Sequence, residues 1–173
     1  MATINNDVEP IDEITKIESI ITHIQMVQSN CEKLGKKLIL NGHSFLGRML
    51  IYNGFQHDVS KFMGVEWEFL HTKEVSKLKG TKKNNFIKSL EQHQLTNKHH
   101  PEYWGGIHNM PDVHIAEMVC DLVARSAEFG TNVREWIDNN ATKKFGFKKG
   151  DDVYNKIMKY IDLLLDKPFE NVK

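Results

Sequence analysis

The sequence predicts an all-α protein. Apolar residues recur at intervals of three and four along most of the 173 residues, and Gly, Asn and Pro signals divide this pattern into segments of helical length. The period-two alternation typical of half-buried strands is missing, as are internal repeats and low-complexity runs. We therefore expect one bundle-like helical domain over residues 1–173, with its core at about 11–166.

Each helix is predicted by an apolar pattern together with a start or stop signal. Asn41-Gly42 ends the first, Pro111-Asp112 starts the fourth, and Asp151 caps the last. Gly80 interrupts the third region, which then continues to about residue 95. Residues 97–110, which contain aromatic residues and glycines, are expected to form an irregular loop of the kind that often carries function. The predicted helices span about residues 11–38, 45–52, 62–78, 113–130, 133–137 and 153–165.

Composition narrows the classes of function. Lys plus Arg and Asp plus Glu both total 23, so no basic surplus is available for a nucleic-acid backbone, and duplex nucleic acid is not the expected partner. Cys31 and Cys120 lack a CxxC spacing, which suits reduced thiols rather than a zinc finger. No apolar run approaches the roughly 18 residues of a membrane span, and residues 1–10 lack signal-peptide features. These observations predict a soluble, cytoplasmic protein without a membrane partner.

Histidines are concentrated in one part of the chain. Nine are present, and five of them lie between residues 57 and 100. Imidazole and carboxylate ligands together suit Zn, Fe, Mn and Ni, and the adjacent pair His57-Asp58 can supply one ligand of each kind. The doublet alone is weak evidence, but further residues of ligand type follow a definite order along the chain. That order is His23, His57-Asp58, His93, His99-His100 and Asp121.

This ordered pattern resembles the HD-domain superfamily of metal-dependent phosphohydrolases, in which an early helix gives a His, a second gives the His-Asp doublet and a distant helix gives a final Asp. Three segments are also similar to a family of small, functionally uncharacterised phage and bacterial proteins. They are HDVSK at 57–61, NKHHPEYW at 97–104 and EMVCD at 117–121. The likeness covers about residues 20–165 and implies an HD-domain-like helical bundle.

The HD-GYP branch of that superfamily offers the nearest ligand set. There, an HD doublet with a nearby Lys, an isolated His, an adjacent His pair and a late Asp bind two or three metals. This sequence has a comparable set but no GYP element, and His99 follows His93 by only six positions. The resemblance therefore does not imply specificity for cyclic dinucleotides.

The residues themselves suggest a first metal site. His57 and Asp58 would bind the first ion, completed by His23 and Asp121, and the two oxygens of Asp58 allow it to bridge to a second ion. His43 competes with His23 as the early ligand. A helix over 43–54 would place it on the order of 18 Å from the end that leads to His57, so we prefer His23.

His93, His99 and His100 are the candidates for a second ion. Two ions about 4 Å apart would clamp a phosphate and lower the pKa of a shared water. We therefore expect one or two divalent ions, with the identity open among Mn, Fe, Co, Ni, Zn and Mg. His93 as an exposed helix residue, and His99-His100 as a helix cap, remain the structural alternatives.

Catalytic roles are assigned to Asp58 and Lys61. Lys61 follows Asp58 by three positions and would hold phosphate charge, as would Arg125, one helical turn after Asp121. A plain surface lysine is the alternative for Lys61. We expect Asn97 and Tyr103 to bind substrate as well, with the Tyr103 ring stacking on a base or forming a wall of the pocket.

The leading functional hypothesis is hydrolysis of a nucleotide or another small phosphorylated metabolite through a metal-activated water. The alternatives are a di-iron oxygenase on an HD scaffold and a non-catalytic, nucleotide-binding phage protein. A homo-oligomer is also possible. Seven further residues are assigned structural or packing roles. They are His71, His108, His114, Phe129, Trp136, Phe145 and Phe147.

Overall fold

The computed structural model describes residues 12–71 and 75–166. Within these two stretches the chain forms helices and turns and contains no strand, so the predicted all-α class is confirmed. None of the helices described there is long and apolar enough to cross a membrane.

Helix α1, Glu13–Leu40, is the longest element of the fold. The Asp12 side chain accepts a hydrogen bond from the backbone N–H of Thr15, which satisfies one of the free donors at the helix start. Its apolar residues recur at helical spacing on one buried face, which packs against α2, Ser44–Gly54, and against two later helices.

Two glycines allow α1 and α2 to cross closely. A Cβ atom on Gly47 would lie 2.3 Å from the backbone oxygen of Gly35, and one on Gly35 would lie 2.7 Å from the backbone oxygen of Gly47. Gly54, at the end of α2, packs against Cys31 in the same way, because its Cβ would lie 2.8 Å from the Cys31 Cβ. This close packing brings the residues that follow α2 against the middle of α1.

The region after α2 is more broken than the sequence predicts. A 3₁₀ turn, Val59–Phe62, leads into helix α3, Gly64–Phe69, and a second 3₁₀ turn covers Val75–Lys77. The continuous helix expected over 62–78 is therefore wrong, although residues 72–74 of it lie outside the described part. Extended backbone at Met63 (φ −138°, ψ 154°) ends the first turn.

Helix α4, Gly80–Thr96, begins at the glycine that was expected to interrupt a helix. The loop expected at 97–110 contains two 3₁₀ turns, Pro101–Trp104 and Ile107–Asn109. Helix α5, Asp112–Glu128, follows and lies at the centre of the fold, with Val119 and Cys120 fully buried between α1 and the last helix.

The C-terminal part also departs from the predicted pattern. Helix α6, Val133–Trp136, continues through a π-helical turn, Ile137–Ala141, into α7, Thr142–Phe145. Helix α8, Asp152–Leu165, starts at the expected cap, since Asp151 accepts a hydrogen bond from the Tyr154 N–H.

The four aromatic residues expected to be packing residues divide into three groups. Phe147 is buried in the core, and Trp136 and Phe145 are half-buried against it. Phe129 is 72% exposed, so the expectation that it is a core or packing residue is wrong. It follows the end of α5 directly, where the helix leaves the core and turns at Gly130.

Candidate metal centre

The ordered histidines and aspartates of the sequence meet around Asp58. His23 comes from α1, His93 from the end of α4 and Asp121 from α5, while the other residues lie on the connections between helices. Five of the residues are buried, and the Asp121 side chain is 15% exposed. The buried five are His23, His57, Asp58, His93 and His99.

The two oxygens of the Asp58 carboxylate face different histidines. Oδ2 lies 3.4 Å from the Nε2 atom of His23 and 3.5 Å from that of His57. Oδ1 lies 3.4 Å from Nε2 of both His93 and His99. Asp58 thus stands between two sets of imidazoles, in the position of a bridging carboxylate.

The first set also contains Asp121. Its Oδ1 atom lies 3.1 Å from His23 Nε2 and 4.0 Å from His57 Nε2. We call His23, His57, Asp58 and Asp121 the first ligand group. One ligand atom each of His23, His57 and Asp58 lies within 4.8 Å of the others, and Asp121 adds a carboxylate beside the two histidines.

The second ligand group consists of His93, His99 and His100. One nitrogen of each ring lies within 4.8 Å of the others. The rings pack closely, with centroids 4.2 Å apart for His99 and His100 and 4.8 Å apart for His93 and His100. With Asp58 at its edge, this group offers three imidazoles and one carboxylate oxygen.

Several of these ligand-type atoms are buried without a hydrogen-bond partner. Buried polar atoms are normally paired, so a concentration of unpaired ones suggests a ligand shared between them. The donors are imidazole nitrogens and carboxylate oxygens, which together suit divalent transition metals, and the clusters could therefore hold a metal ion. The unpaired atoms are Nε2 of His57, His99 and His100, and Oδ1 of Asp58.

A second layer of carboxylates holds the rings from behind. Nδ1 of His23 lies 2.9 Å from a Glu128 oxygen, and Nδ1 of His93 lies 2.7 Å from a Glu66 oxygen. Nδ1 of His57 lies 3.3 Å from Glu117. A carboxylate at Nδ1 fixes the ring tautomer and leaves the Nε2 lone pair for a metal.

These three glutamates were not selected from the sequence. Glu117 precedes Asp121 by one helical turn on α5, and this spacing was the available signal for it. Glu128 follows Asp121 by seven positions, about two helical turns, and therefore lies on the same face of α5 as Asp121. Glu66 lies on α3, where the predicted helix was wrong, so its direction could not be inferred.

The backbone of Asp58 is in the left-handed region, with φ 57° and ψ 14°. Among the described residues, only Asp166 is another non-glycine residue with positive φ. Aspartate tolerates this conformation better than most residues, but its occurrence at a buried position still costs energy. Such strain is found where the direction of a side chain matters.

Charges in the first group raise histidine pKa values. Burial alone would lower the pKa of His23, but the nearby Asp121 and Asp58 carboxylates outweigh it and raise the pKa to about 9. The pKa of His57 is also raised, because Asp58 and Glu117 outweigh its burial. In the same way, burial would raise the pKa of Asp58, yet His57 and Lys61 hold it well below its usual range.

In the second ligand group, the histidine pKa values are lowered instead. Burial lowers the pKa of His99 to about 4 and that of His100 to about 2, and neighbouring histidines add to both shifts. The pKa of His93 is lowered by burial as well. At neutral pH these rings are uncharged, which is the state in which imidazole binds a metal.

A cavity of about 570 Å³ opens onto both ligand groups. His23, His93, His100 and Asp121 are among the residues that line it. Cationic side chains also line it, and much of the remaining lining is apolar. The cations are Lys16, Lys61 and Arg125, and the apolar residues include Ile20, Leu70, Val75, Phe86 and Leu90.

Of the four predicted substrate-binding residues, two line this cavity. Lys61 is buried, and its Nζ atom donates a hydrogen bond to Asp58 Oδ2. Arg125 is 41% exposed and pairs with Glu128 at 3.1 Å. Both cationic groups are therefore within reach of a molecule bound above the histidines.

Asn97 and Tyr103 do not line it. Asn97 donates hydrogen bonds to the backbone oxygen of His93 at 2.9 Å and to the Ser60 hydroxyl at 3.1 Å, so it holds the end of α4 in place. Tyr103 is 40% exposed and packs edge-on against Trp104, with ring centroids 5.0 Å apart.

Four histidines lie outside the two ligand groups, and His108 is an exposed one of these. His43 is exposed at the start of α2, whereas His23, the residue preferred as the early ligand, lies beside Asp58. His114 lies 3.2 Å from Glu117 and supports the second layer. His71, expected to be structural, lines the cavity with a buried, unpaired Nε2 atom, and its pKa is lowered to about 4, mainly by burial.

Fold and site together define an all-helical protein with a buried histidine and carboxylate cluster that could hold a metal ion. The chain belongs to the DUF5662 family, described as a family of unknown function, whose model matches residues 12–167. No curated protein and no solved structure is significantly similar to the chain.

Proposed function

We propose that the protein is an HD-domain-like, metal-dependent phosphohydrolase acting on a nucleotide or another small phosphorylated metabolite. The observation that carries the proposal is the position of Asp58. Its two oxygens each lie 3.4 to 3.5 Å from two histidine nitrogens, and two of these histidines, His23 and His93, line a cavity that also contains cationic side chains.

The ligand groups fit divalent ions in number and chemistry. His23, His57, Asp58 and Asp121 would hold one ion, and His93, His99 and His100 would hold a second, with Asp58 between them. Ions bound at such sites polarise phosphoryl oxygens and lower the pKa of a water molecule.

The other charged residues of the cavity suit a phosphate ester. The Lys61 ammonium group is buried beside Asp58, where it can contact a phosphoryl oxygen directly. Arg125 lies on the rim and offers a planar set of donors that matches phosphate geometry. The cavity volume of about 570 Å³ is within the range of sites for small metabolites.

A phosphate-release assay tests the proposal. Purified protein is supplied with Mn, Co, Ni, Fe, Zn or Mg and assayed against nucleotides, sugar phosphates and pyrophosphate. We expect phosphate release with at least one ion and a loss of at least about 100-fold in Asp58→Asn, because the amide keeps one uncharged oxygen and replaces the other with an NH2 group that does not bind a metal. His43→Ala, which changes an exposed histidine, should keep full activity.

Absence of phosphate release with every ion, or full activity in Asp58→Asn, would rule the proposal out. If substrates bind tightly without turnover, the non-catalytic alternative is favoured instead.

The all-imidazole second group supports one competing function. Imidazole is also a good ligand for iron, and a carboxylate between two metal positions is compatible with a di-iron oxygenase. Stoichiometric iron in the purified protein, together with substrate-dependent oxygen consumption and no phosphate release, would favour this function over hydrolysis.

A further inference from the structure

A second cavity of about 260 Å³ lies on the other side of Arg125. It shares four lining residues with the larger cavity, so the two cavities adjoin at the metal centre. The shared residues are His100, Asp121, Arg125 and Phe129. A molecule with its phosphate at this junction could therefore extend one part into the second cavity.

The lining of the second cavity is mainly aromatic and aliphatic. Phe129, Trp136 and Phe145 provide three rings, and Met118 and Leu122 add aliphatic surface. Ser126 and Thr131, which carry hydroxyl groups, also line it. This combination suits a planar ring that stacks on its faces and forms hydrogen bonds at its edge.

The charged residues of the second cavity further restrict the class of ligand that it can bind. Asp121 is the one carboxylate among the residues that line the cavity, and it belongs to the first ligand group. Lys144 and Arg125 are cationic. The cavity therefore favours a neutral or anionic ligand over a cationic one.

The backbone around Trp136 is also unusual. Trp136 ends α6, and the π-helical turn Ile137–Ala141 begins at the next residue. Single π-helical turns often occur at functional sites, because the extra residue redirects the side chains on one side of the helix. Here Ile137 and Ala141 are fully buried, which holds the turn in the core while Trp136 faces the cavity.

We propose that the second cavity binds the base of a nucleoside monophosphate, with Trp136 as a stacking residue. This inference rests on the proposed function and names its substrate class: phosphate esters that carry a nucleobase, in preference to sugar phosphates and pyrophosphate. Arg125, which lines both cavities, would then contact the phosphate between the two parts of the substrate.

The test measures binding separately from catalysis. Isothermal titration calorimetry is performed with adenosine, guanosine, cytidine and uridine, and with ribose 5-phosphate, on protein with and without added metal. We expect at least one nucleoside to bind, and binding to weaken about tenfold or more in Trp136→Leu, because one stacking surface is lost. Phe145→Leu provides a second, milder variant should Trp136→Leu fail to fold.

The matched control is Phe45→Leu. It replaces an aromatic ring on α2 that is 72% exposed, and it should leave nucleoside binding unchanged. In the activity assay, Trp136→Leu should raise KM for a nucleotide and leave KM for ribose 5-phosphate unchanged. Nucleoside binding that is undetectable, or equal in the wild type, Trp136→Leu and Phe145→Leu, would overturn the inference.

The two proposals fail separately. Nucleoside binding that depends on Trp136, without phosphate release from any ester, removes the hydrolase and retains the base site. Phosphate release at equal rates from nucleotides and sugar phosphates, unaffected by Trp136→Leu, removes the base site and retains the hydrolase.

Discussion

Glu117 connects the two ligand groups from behind. Its Oε1 atom lies 3.3 Å from His57 Nδ1 and 3.7 Å from His99 Nδ1, and its Oε2 accepts a hydrogen bond from Asn53 at 2.9 Å. Burial would raise the pKa of Glu117, but its contacts with His114 and His57 lower it to about 2. Glu117 is therefore ionised throughout the range in which the protein can be studied.

Glu117→Gln should weaken metal binding about 10- to 100-fold without unfolding the protein, because the amide keeps the shape and removes the charge that makes His57 a stronger ligand. The measurement is a metal titration by calorimetry. Glu91→Gln, at an exposed position on α4, is the control. Equal affinities in wild type and Glu117→Gln would show that this carboxylate does not act on the metal centre.

Histidine protonation should separate the two ligand groups. At pH 7, His23 is the doubly protonated cation because its pKa is about 9. His99, with a pKa of about 4, is neutral. An ion entering the first group must displace a proton from His23, so its affinity falls as pH falls. Binding at the second group should change little down to about pH 5.

Metal affinity at the first group should therefore fall by about 100-fold or more from pH 8 to pH 5.5, whereas affinity at the second group changes little. Calorimetry in buffers of different ionisation enthalpy measures both the affinity and the protons released. A metal affinity that is the same at both pH values, with no proton released, would contradict the assigned charge states.

The residues of the two ligand groups could be selected from the sequence, but the glutamates that contact their histidines could not. His57-Asp58 is recognisable as a doublet, and the order of the other ligand-type residues suggested His23 and Asp121. A supporting carboxylate carries no such signature, because any exposed glutamate on a helix looks the same in one sequence. Recognition of Glu66 required the actual direction of α3.

At the level of helices, the α1 and α2 crossing positions the site. Gly47→Ala should destabilise the protein by about 1 to 3 kcal/mol, because the new methyl group meets the Gly35 backbone, which cannot rotate away. Thermal unfolding measures the effect, and Arg48→Ala, at the next and exposed position, is the control. A melting temperature of Gly47→Ala equal to that of Arg48→Ala would contradict this packing.

Long helices were predictable and short ones were not. The observed bounds of α1, α5 and α8 lie close to the predicted ones because each has several turns of apolar periodicity. The break at Met63 and the π-helical turn at Ile137–Ala141 each depend on local backbone conformation, which periodicity does not report. Phe129, assigned to packing from the sequence, is exposed because α5 ends at the preceding residue.

Across the whole molecule, the buried histidines predict a stability maximum for the metal-free protein near pH 6.5. His23 has a folded pKa of about 9, above the unfolded value of about 6.5, so its contribution is complete below pH 6.5 and is lost as pH rises to 9. His71 and His99 have folded pKa values of about 4, so they destabilise the fold as pH falls from 6.5 to 4.

Urea unfolding between pH 4.5 and 9 in the presence of a chelator measures this profile. The free energy of unfolding should fall on both sides of the maximum, by an amount on the order of 1 to 3 kcal/mol at pH 9. Saturating metal should flatten the alkaline side, because the ion then replaces the proton on His23. A free energy that rises steadily to pH 9 without metal would show that the His23 charge is not stabilising.

Metal content tests the central claim most directly. Purified protein is equilibrated with a mixture of divalent ions, desalted and analysed by plasma mass spectrometry, alongside His57→Ala, Asp58→Ala and the exposed control His43→Ala. We predict one or two ions per chain in the wild type and in His43→Ala, and a loss of most of this metal in His57→Ala and Asp58→Ala. Wild-type metal content in both His57→Ala and Asp58→Ala would contradict the account.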